Sequence, residues 1–233
     1  ARVRVDTDNY ADAVSDYGAA IALDANNAAL YWERGDARRR YASSGCPADE
    51  KPEEFEHAVS DCDKSIEMFP RDPRAYHARA FVWRSQGQYD KAIADHTAAI
   101  KLDPTFAAAF SDRAEALGVK ALLAGGWKKP EPPEVAALYD RVIDDLNEAI
   151  RFDPESPLAF SRRGNFWKEK REYDRAIADY GEAIRLDPFI SHYTSRAEVW
   201  KAKGDFDKAI ADYTEGIRLG KRGSFALERA YEG

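Results

Sequence analysis

The sequence predicts an all-α fold built as an array of stacked helical hairpins. Three observations carry that expectation. One segment, YDRAIADYGEAIRLDP at residues 173–188, returns as YDKAIADHTAAIKLDP at 89–104 and FDKAIADYTEGIRLG at 206–220. Looser copies begin at Tyr10, Phe55 and Tyr139, so six copies fill a chain of 233 residues. The copies start 45, 34, 50, 34 and 33 residues apart, a basic unit of 34 with two units enlarged by about 11 and 16. Within each copy the apolar residues fall three and four positions apart, the spacing of a single helix face.

Each unit has two helical halves. The repeated segment is the second helix, and Asp-Pro ends it because proline restricts the residue before it and donates no backbone hydrogen bond. The first half reads YHARAFVWRSQG from Tyr76, FSRRGNFWKEK from Phe160 and YTSRAEVWKAKG from Tyr193, with distant copies from Tyr31 and Phe110. Small residues recur at one place in the first helices (Gly35, Ala80, Ala114, Gly164, Ala197). They recur again in the second helices (Ala13, Ala58, Ala92, Ala176, Ala209). A small side chain there lets two helix backbones approach closely. A lone hairpin cannot bury both of its faces, so successive units must stack.

The 34-residue period, the small residue of the first helix, the Ala and aromatic of the second and the closing proline resemble the tetratricopeptide repeat family. The resemblance covers nearly the whole chain and departs from the family where Arg, rather than Leu, precedes the small residue. It implies antiparallel helix pairs wound into a right-handed superhelical solenoid, with a concave face lined by first helices. It also implies binding of a protein partner rather than catalysis. The expected parse is one array: a lone second helix at 8–25, units at about 28–70, 73–104, 107–154, 157–188 and 190–220, and a terminal helix at 223–233. The first methionine is Met68 and the chain opens on Ala1, which leads us to expect a piece of something longer. The wording LDP with AIADY resembles bacterial variants of the repeat.

Composition narrows the partners. A net charge of -7 with a pI near 5.3 argues against nucleic acid or an anionic membrane as the main partner. No apolar run approaches the roughly 20 residues that span a bilayer. Cys46 and Cys62 form no disulfide framework, although one bridge between them is open. His57, His77, His96 and His192 make no metal-binding spacing, and neither a phosphate loop nor a nucleophile elbow is present, so no enzyme activity, metal or cofactor is expected. Cys46, in a loop, is the one candidate reactive thiol. His96 and Cys62 occupy the core aromatic position of their helices.

Two features extend the pattern. Arg34, Arg79, Arg113, Arg163, Arg196 and Arg229 hold equivalent places in first helices, and Asp16, Asp61, Asp95, Asp145, Asp179 and Asp212 in second helices. The gap from each Asp forward to the next Arg is 17 or 18 throughout, whereas the gap from Arg to the Asp of its own unit varies from 16 to 32. That regularity predicts a ladder in which each Asp grips the Arg of the following unit. The enlarged units carry their extra residues at 43–52 and 124–133, both between first and second helix and both marked as loops by Gly and Pro. Trp127 in the second of them is either an exposed anchor on a specialised edge or a residue folded back on longer helices.

Because the family's peptides lie along the first helices, the residues five after each ladder arginine are candidate contacts: Arg39, Arg84, Gly118, Lys168 and Lys201. Those two after it are Asp36, Phe81, Glu115, Asn165 and Glu198, and those two before it are Trp32, His77, Ser111, Ser161 and Thr194. One reading is a groove for an extended peptide with an acidic residue or terminal carboxylate. Asn165 would hold its main chain, and Trp32 and Phe81 would take apolar side chains. The other is a solvated face on which Asp36 neutralises Arg39 and Glu198 neutralises Lys201. Ser161 and Thr194 stand where the family's carboxylate clamp for chaperone tails needs lysine, so chaperone binding is not expected. The alternative to a peptide-binding scaffold is a regulatory or oligomerisation domain that self-associates through the incomplete N-terminal unit.

Overall fold

In a computed structural model, which describes residues 10–125 and 132–231 with side chains to residue 220, the chain is all-α. Eleven helices appear among the described residues. They are α1 (Tyr10–Leu23), α2 (Ala28–Ser44), α3 (Lys51–Met68), α4 (Pro73–Ser85), α5 (Tyr89–Leu102), α6 (Ala107–Leu123), α7 (Pro133–Phe152), α8 (Pro157–Glu169), α9 (Tyr173–Leu186), α10 (Ile190–Lys203) and α11 (Phe206–Tyr231). The chain divides into two compact units, Ala1–Gly126 and Trp127–Gly233. The division falls at the second insertion, so α6 belongs to the first unit and α7 to the second.

Local chemistry sets the helix ends. Asp72 caps α4 by accepting from the Arg74 N–H at 3.0 Å, with Pro73 opening the helix. Asn27 and Ser156 cap α2 and α8 in the same way. Asp103 turns extended at the end of α5, just ahead of Pro104. The turns α4–α5 and α10–α11 need a left-handed residue, supplied by Gly87 (φ 73°) and Gly204 (φ 84°). In the α8–α9 turn the same place is held by Arg171, at φ 61°.

Inside the hairpins the small residues do what the pattern requires. Ala80, Ala114 and Ala197 are fully buried, as are Ala58, Ala92 and Ala176. Gly35 is the tightest: a Cβ there would sit 2.8 Å from Cys62 Sγ and 2.9 Å from the Ala58 carbonyl oxygen. At three junctions small clusters join a second helix to the first helix that follows it. Ala13 and Tyr17 of α1 pack with Ala37 of α2, and Ala80 and Ala92 of the α4–α5 hairpin pack with Ala116 of α6. In the second unit Ala176 and Tyr180 of α9 pack with Val199 of α10.

Three expectations need correction. The loop expected at 43–52 is confined to residues 45–50, and α2 (17 residues) and α3 (18 residues) each exceed α4 (13 residues) and α5 (14 residues) by four, so most of the added length is helix. No break separates a terminal helix at 223–233, because α11 runs on to Tyr231. Cys46 is not an open thiol. It is buried, and burial together with the carboxylates of Glu50 and Glu54 pushes its pKa up, which disfavours the reactive thiolate. Cys62 is fully buried and its thiol is pushed far up by desolvation; both cysteines are free. Trp127 lies outside the described residues.

Candidate functional site

The repeated arginines fold the site's scaffold, and they do so differently from the forward ladder. Arg79 Nε and Nη2 bind the Asp95 carboxylate at 2.8 and 2.7 Å. Arg163 with Asp179 and Arg196 with Asp212 repeat the same two-point fork at the same distances. Arg34 forks onto Asp61 at 2.8 and 2.5 Å, with Arg38 adding a third bond at 3.1 Å. Every one of these pairs lies within its own hairpin, so the forward ladder is overturned. The aspartates are 5–7% exposed, and a carboxylate so buried is stable only when its lone pairs are met. Asp16, whose own hairpin has no first helix among the described residues, is exposed instead.

The arginine does reach the preceding hairpin, through its remaining nitrogen. Nη1 of Arg79, Arg113 and Arg163 donates to Asp63 (2.5 Å), Thr97 (3.0 Å) and Asn147 (2.8 Å), each two residues beyond the aspartate expected. The guanidinium also lies over an aromatic ring three positions back, as with Tyr76 under Arg79 at 5.8 Å. Sequence reasoning missed a further ligand of the carboxylate: Trp83 Nε1 donates to Asp95 at 3.0 Å. The side chain of Arg229 lies outside the described residues.

In the first unit, the candidate contacts of α2 and α4 come together around one ring. Phe81 is half-buried, with the guanidinium carbons of Arg39 and Arg84 each 5.2 Å from its centroid. Arg39 makes two bonds to Asp36, at 2.9 and 2.7 Å, as the neutral-face reading expects. Arg84 pairs with Glu115 of α6. His77 meets Phe81 edge-on with centroids 4.7 Å apart, touches Phe106 at 4.8 Å, and lies 3.2 Å from His96 through the two Nδ1 atoms. Its Nε2 is 3.5 Å from the buried carboxylate of Asp112. Desolvation nonetheless dominates and lowers the His77 pKa, favouring the neutral ring. His96 is fully buried, a packed core histidine. Trp32 stacks under Arg74 at 5.6 Å with its indole N–H buried, so it ties α2 to α4 rather than standing open.

In the second unit the corresponding residues of α8 and α10 are polar. Lys168 pairs with Glu198 at 2.9 Å, so the expected Glu198–Lys201 pair gives way to one between successive first helices, and Lys201 is exposed. Exposed Asn165 accepts from Tyr180 Oη at 2.6 Å through Oδ1, which leaves its NH2 outward. The hydroxyls of Ser161 and Thr194 donate to backbone carbonyls three residues back. Among the described residues no group of three or more His, Cys, Asp and Glu could hold a metal ion, and no helix is long and apolar enough to cross a membrane.

The geometry can be set beside known proteins. Residues 73–106 match the family model of the tetratricopeptide repeat. The fold is similar to that of MamA (TM-score 0.62, 20% identical, 76% of this chain and 95% of that one). It is also similar to a thermophilic repeat protein of Thermus thermophilus (TM-score 0.60, 18% identical, 83% and 97%). A third similar structure is YrrB, described as a TPR protein with an unusual peptide-binding site (TM-score 0.57, 16% identical, 92% and 97%). Human sperm-associated antigen 1 is 26% identical over 101 residues, a match that spans 43% of this chain and 10% of that protein. The α4–α5 hairpin, residues 73–106, matches the tetratricopeptide repeat model, the other hairpins repeat its residues on the same pair of helices, and the fold is that of tetratricopeptide repeat proteins.

Proposed function

We propose that this chain is a protein-interaction scaffold that takes an extended segment of a partner along its first helices. The observation that carries the reading is the Arg39–Phe81–Arg84 arrangement, a half-buried aromatic surface flanked by two cations. A partner carboxylate can compete with Asp36 and Glu115 for those guanidiniums while an apolar side chain covers Phe81. On α8 and α10 the outward NH2 of Asn165 suits a main-chain carbonyl, and Lys168 and Lys201 suit acidic side chains. The ion pairs already present make the free face self-neutral, so a ligand must exchange partners rather than fill an empty charge, which favours specificity over raw affinity. Peptide binding in a similar fold, as the description of YrrB states it, agrees with the reading.

The test is to pan a random peptide library on the chain and measure enriched sequences against variants. We expect peptides that join an acidic residue or free carboxylate to an aromatic or aliphatic one. Affinity should fall at least tenfold with Arg84→Glu and less with Lys168→Glu. Enrichment of peptides that bind both variants as well as the parent would reject the first-helix face.

A further inference from the structure

Beneath Phe81 lies a chain of titratable groups for which the peptide face so far has no use. His77 meets the Phe81 ring edge-on, with centroids 4.7 Å apart. Its Nδ1 is 3.2 Å from Nδ1 of His96, fully buried on α5, and its Nε2 is 3.5 Å from a carboxylate oxygen of Asp112 on α6. One neutral form meets both neighbours: His77 turns an Nε2–H to Asp112, and His96 donates its Nδ1–H to His77 Nδ1. An imidazolium at His77 carries a proton on both nitrogens. It keeps Nε2–H toward Asp112 and donates Nδ1–H to His96 Nδ1, whose own proton moves to Nε2 of that ring. The sum is one proton taken from solvent onto the Asp112–His77–His96 chain.

The charges around His77 decide whether that proton is taken. Helix α2 supplies Asp36 and Arg39, which hold each other, and α4 supplies Arg84, which pairs with Glu115 of α6 beside Asp112. Helix α5 adds His96 and an Asp95 that Arg79 and Trp83 hold. Helix α3 also packs on α4, and its Asp61 and Asp63 are taken by Arg34, Arg38 and Arg79. Desolvation is the main force against the imidazolium; Asp112 and Asp36 favour it, and Arg84 and Arg39 oppose it. A carboxylate brought to those two arginines adds a negative charge beside the ring and offsets their opposition. Covering Phe81 desolvates His77 little further, because only 14% of its side-chain surface is exposed. The added charge therefore outweighs the added burial.

We infer that this chain makes the Phe81 face a proton-linked site: an acidic partner segment draws one proton onto His77 as it binds, and is gripped more tightly as pH falls. The inference rests on the reading that the first-helix face takes such a segment, and it adds the regulation of that face. Uptake of one proton limits the gain to about tenfold per pH unit.

The probe is the acidic peptide most enriched in the library panning, titrated calorimetrically against the full chain between about pH 7.5 and 5.5, the range that brackets a histidine. Two buffers with different heats of ionisation count the protons exchanged on the unaltered chain. Affinity should rise by about three- to tenfold over that range, with net proton uptake. The same peptide with its carboxylate converted to an amide should show neither. His77→Gln should flatten the rise, whereas His57→Gln and His192→Gln, at exposed histidines, should retain it. Affinity independent of pH, release of protons, or equal uptake with the amide peptide overturns the inference and leaves the first-helix reading standing. A peptide that binds Arg84→Glu as well as the parent takes both down together.

Discussion

The α8–α9 and α10–α11 hairpins are close to copies of each other, yet they sit in different circumstances. Both fork an arginine onto a buried aspartate with the same distances. Both place a helix cation over the first-helix tryptophan, Arg175 over Trp167 at 4.7 Å and Lys208 over Trp200 at 4.4 Å. They differ outside the hairpin: Ile177 and Ile184 are half-buried, whereas their counterparts Ile210 and Ile217 are 63% and 61% exposed. The hairpin's internal joint is thus a property of the hairpin, and the burial of its outer face is a property of its neighbour. That division is the physical content of a repeat architecture, in which intrinsic and nearest-neighbour contributions add.

Four experiments bear on the comparison. The largest effect belongs to the internal joint. Arg163→Ala and Arg196→Ala should each cost about 3–5 kcal/mol in chemical denaturation, because each strands a buried carboxylate. The two should match to within about 0.5 kcal/mol, and a much smaller loss in the last hairpin would break the equivalence. Asp16→Ala, at an exposed aspartate, should cost less than about 0.5 kcal/mol.

Next comes the outer face. Ile177→Ala should cost about 1–3 kcal/mol and Ile210→Ala under about 0.5, since only the first opens a packed contact. Equal losses would mean that the outer face of α11 is covered.

A third experiment uses pH on a region neither hairpin contains. The His77 pKa is depressed on folding, so the unfolded chain binds the proton first as pH falls. The stability this residue contributes is complete above its unfolded value of about 6.5 and drains away as pH falls below that value, by at most about 1.4 kcal/mol per pH unit. His77→Phe should flatten that dependence in denaturation curves taken between about pH 7 and 5. An unchanged slope would show that the ring is solvated rather than buried against Phe81 and Phe106.

The smallest effect is in the turns. Arg171 holds a left-handed conformation that glycine holds in the α10–α11 turn, so Arg171→Gly should stabilise the chain by about 0.5–1 kcal/mol. A loss of stability would indicate that the arginine side chain makes contacts that outweigh the backbone strain.

Much of this was readable in residues. The 34-residue period and the apolar spacing located the helices. The small residues marked the close approaches, and the arginines and aspartates were recognised as structural. The pairing itself was misread for an instructive reason. An insertion in a hairpin's turn changes the sequence distance between Arg34 and Asp61 without changing their distance in space. The forward spacing of 17 or 18 stays regular only because the links between hairpins carry no insertion. Regular spacing therefore reported where loops grow rather than which charges meet. The one available clue was the constant gap of 16 between Arg79 and Asp95, Arg163 and Asp179, and Arg196 and Asp212 in the units with short turns. Cys46 was misjudged because a turn between two long helices is buried by them. The charges beside Phe81 were legible as positions but not as partners, since a lysine or arginine reaches either its own helix or the next.

By itself the sequence determined the all-α repeat, its helices and the small residues that set their approach, because periodicity and steric size act locally and recur with each copy. Only the tertiary structure decided which aspartate each arginine grips, that Glu198 turns to Lys168, and that the outer row of α11 stands exposed. Those outcomes depend on which helices pack side by side, and one chain's residue spacing does not encode that distance.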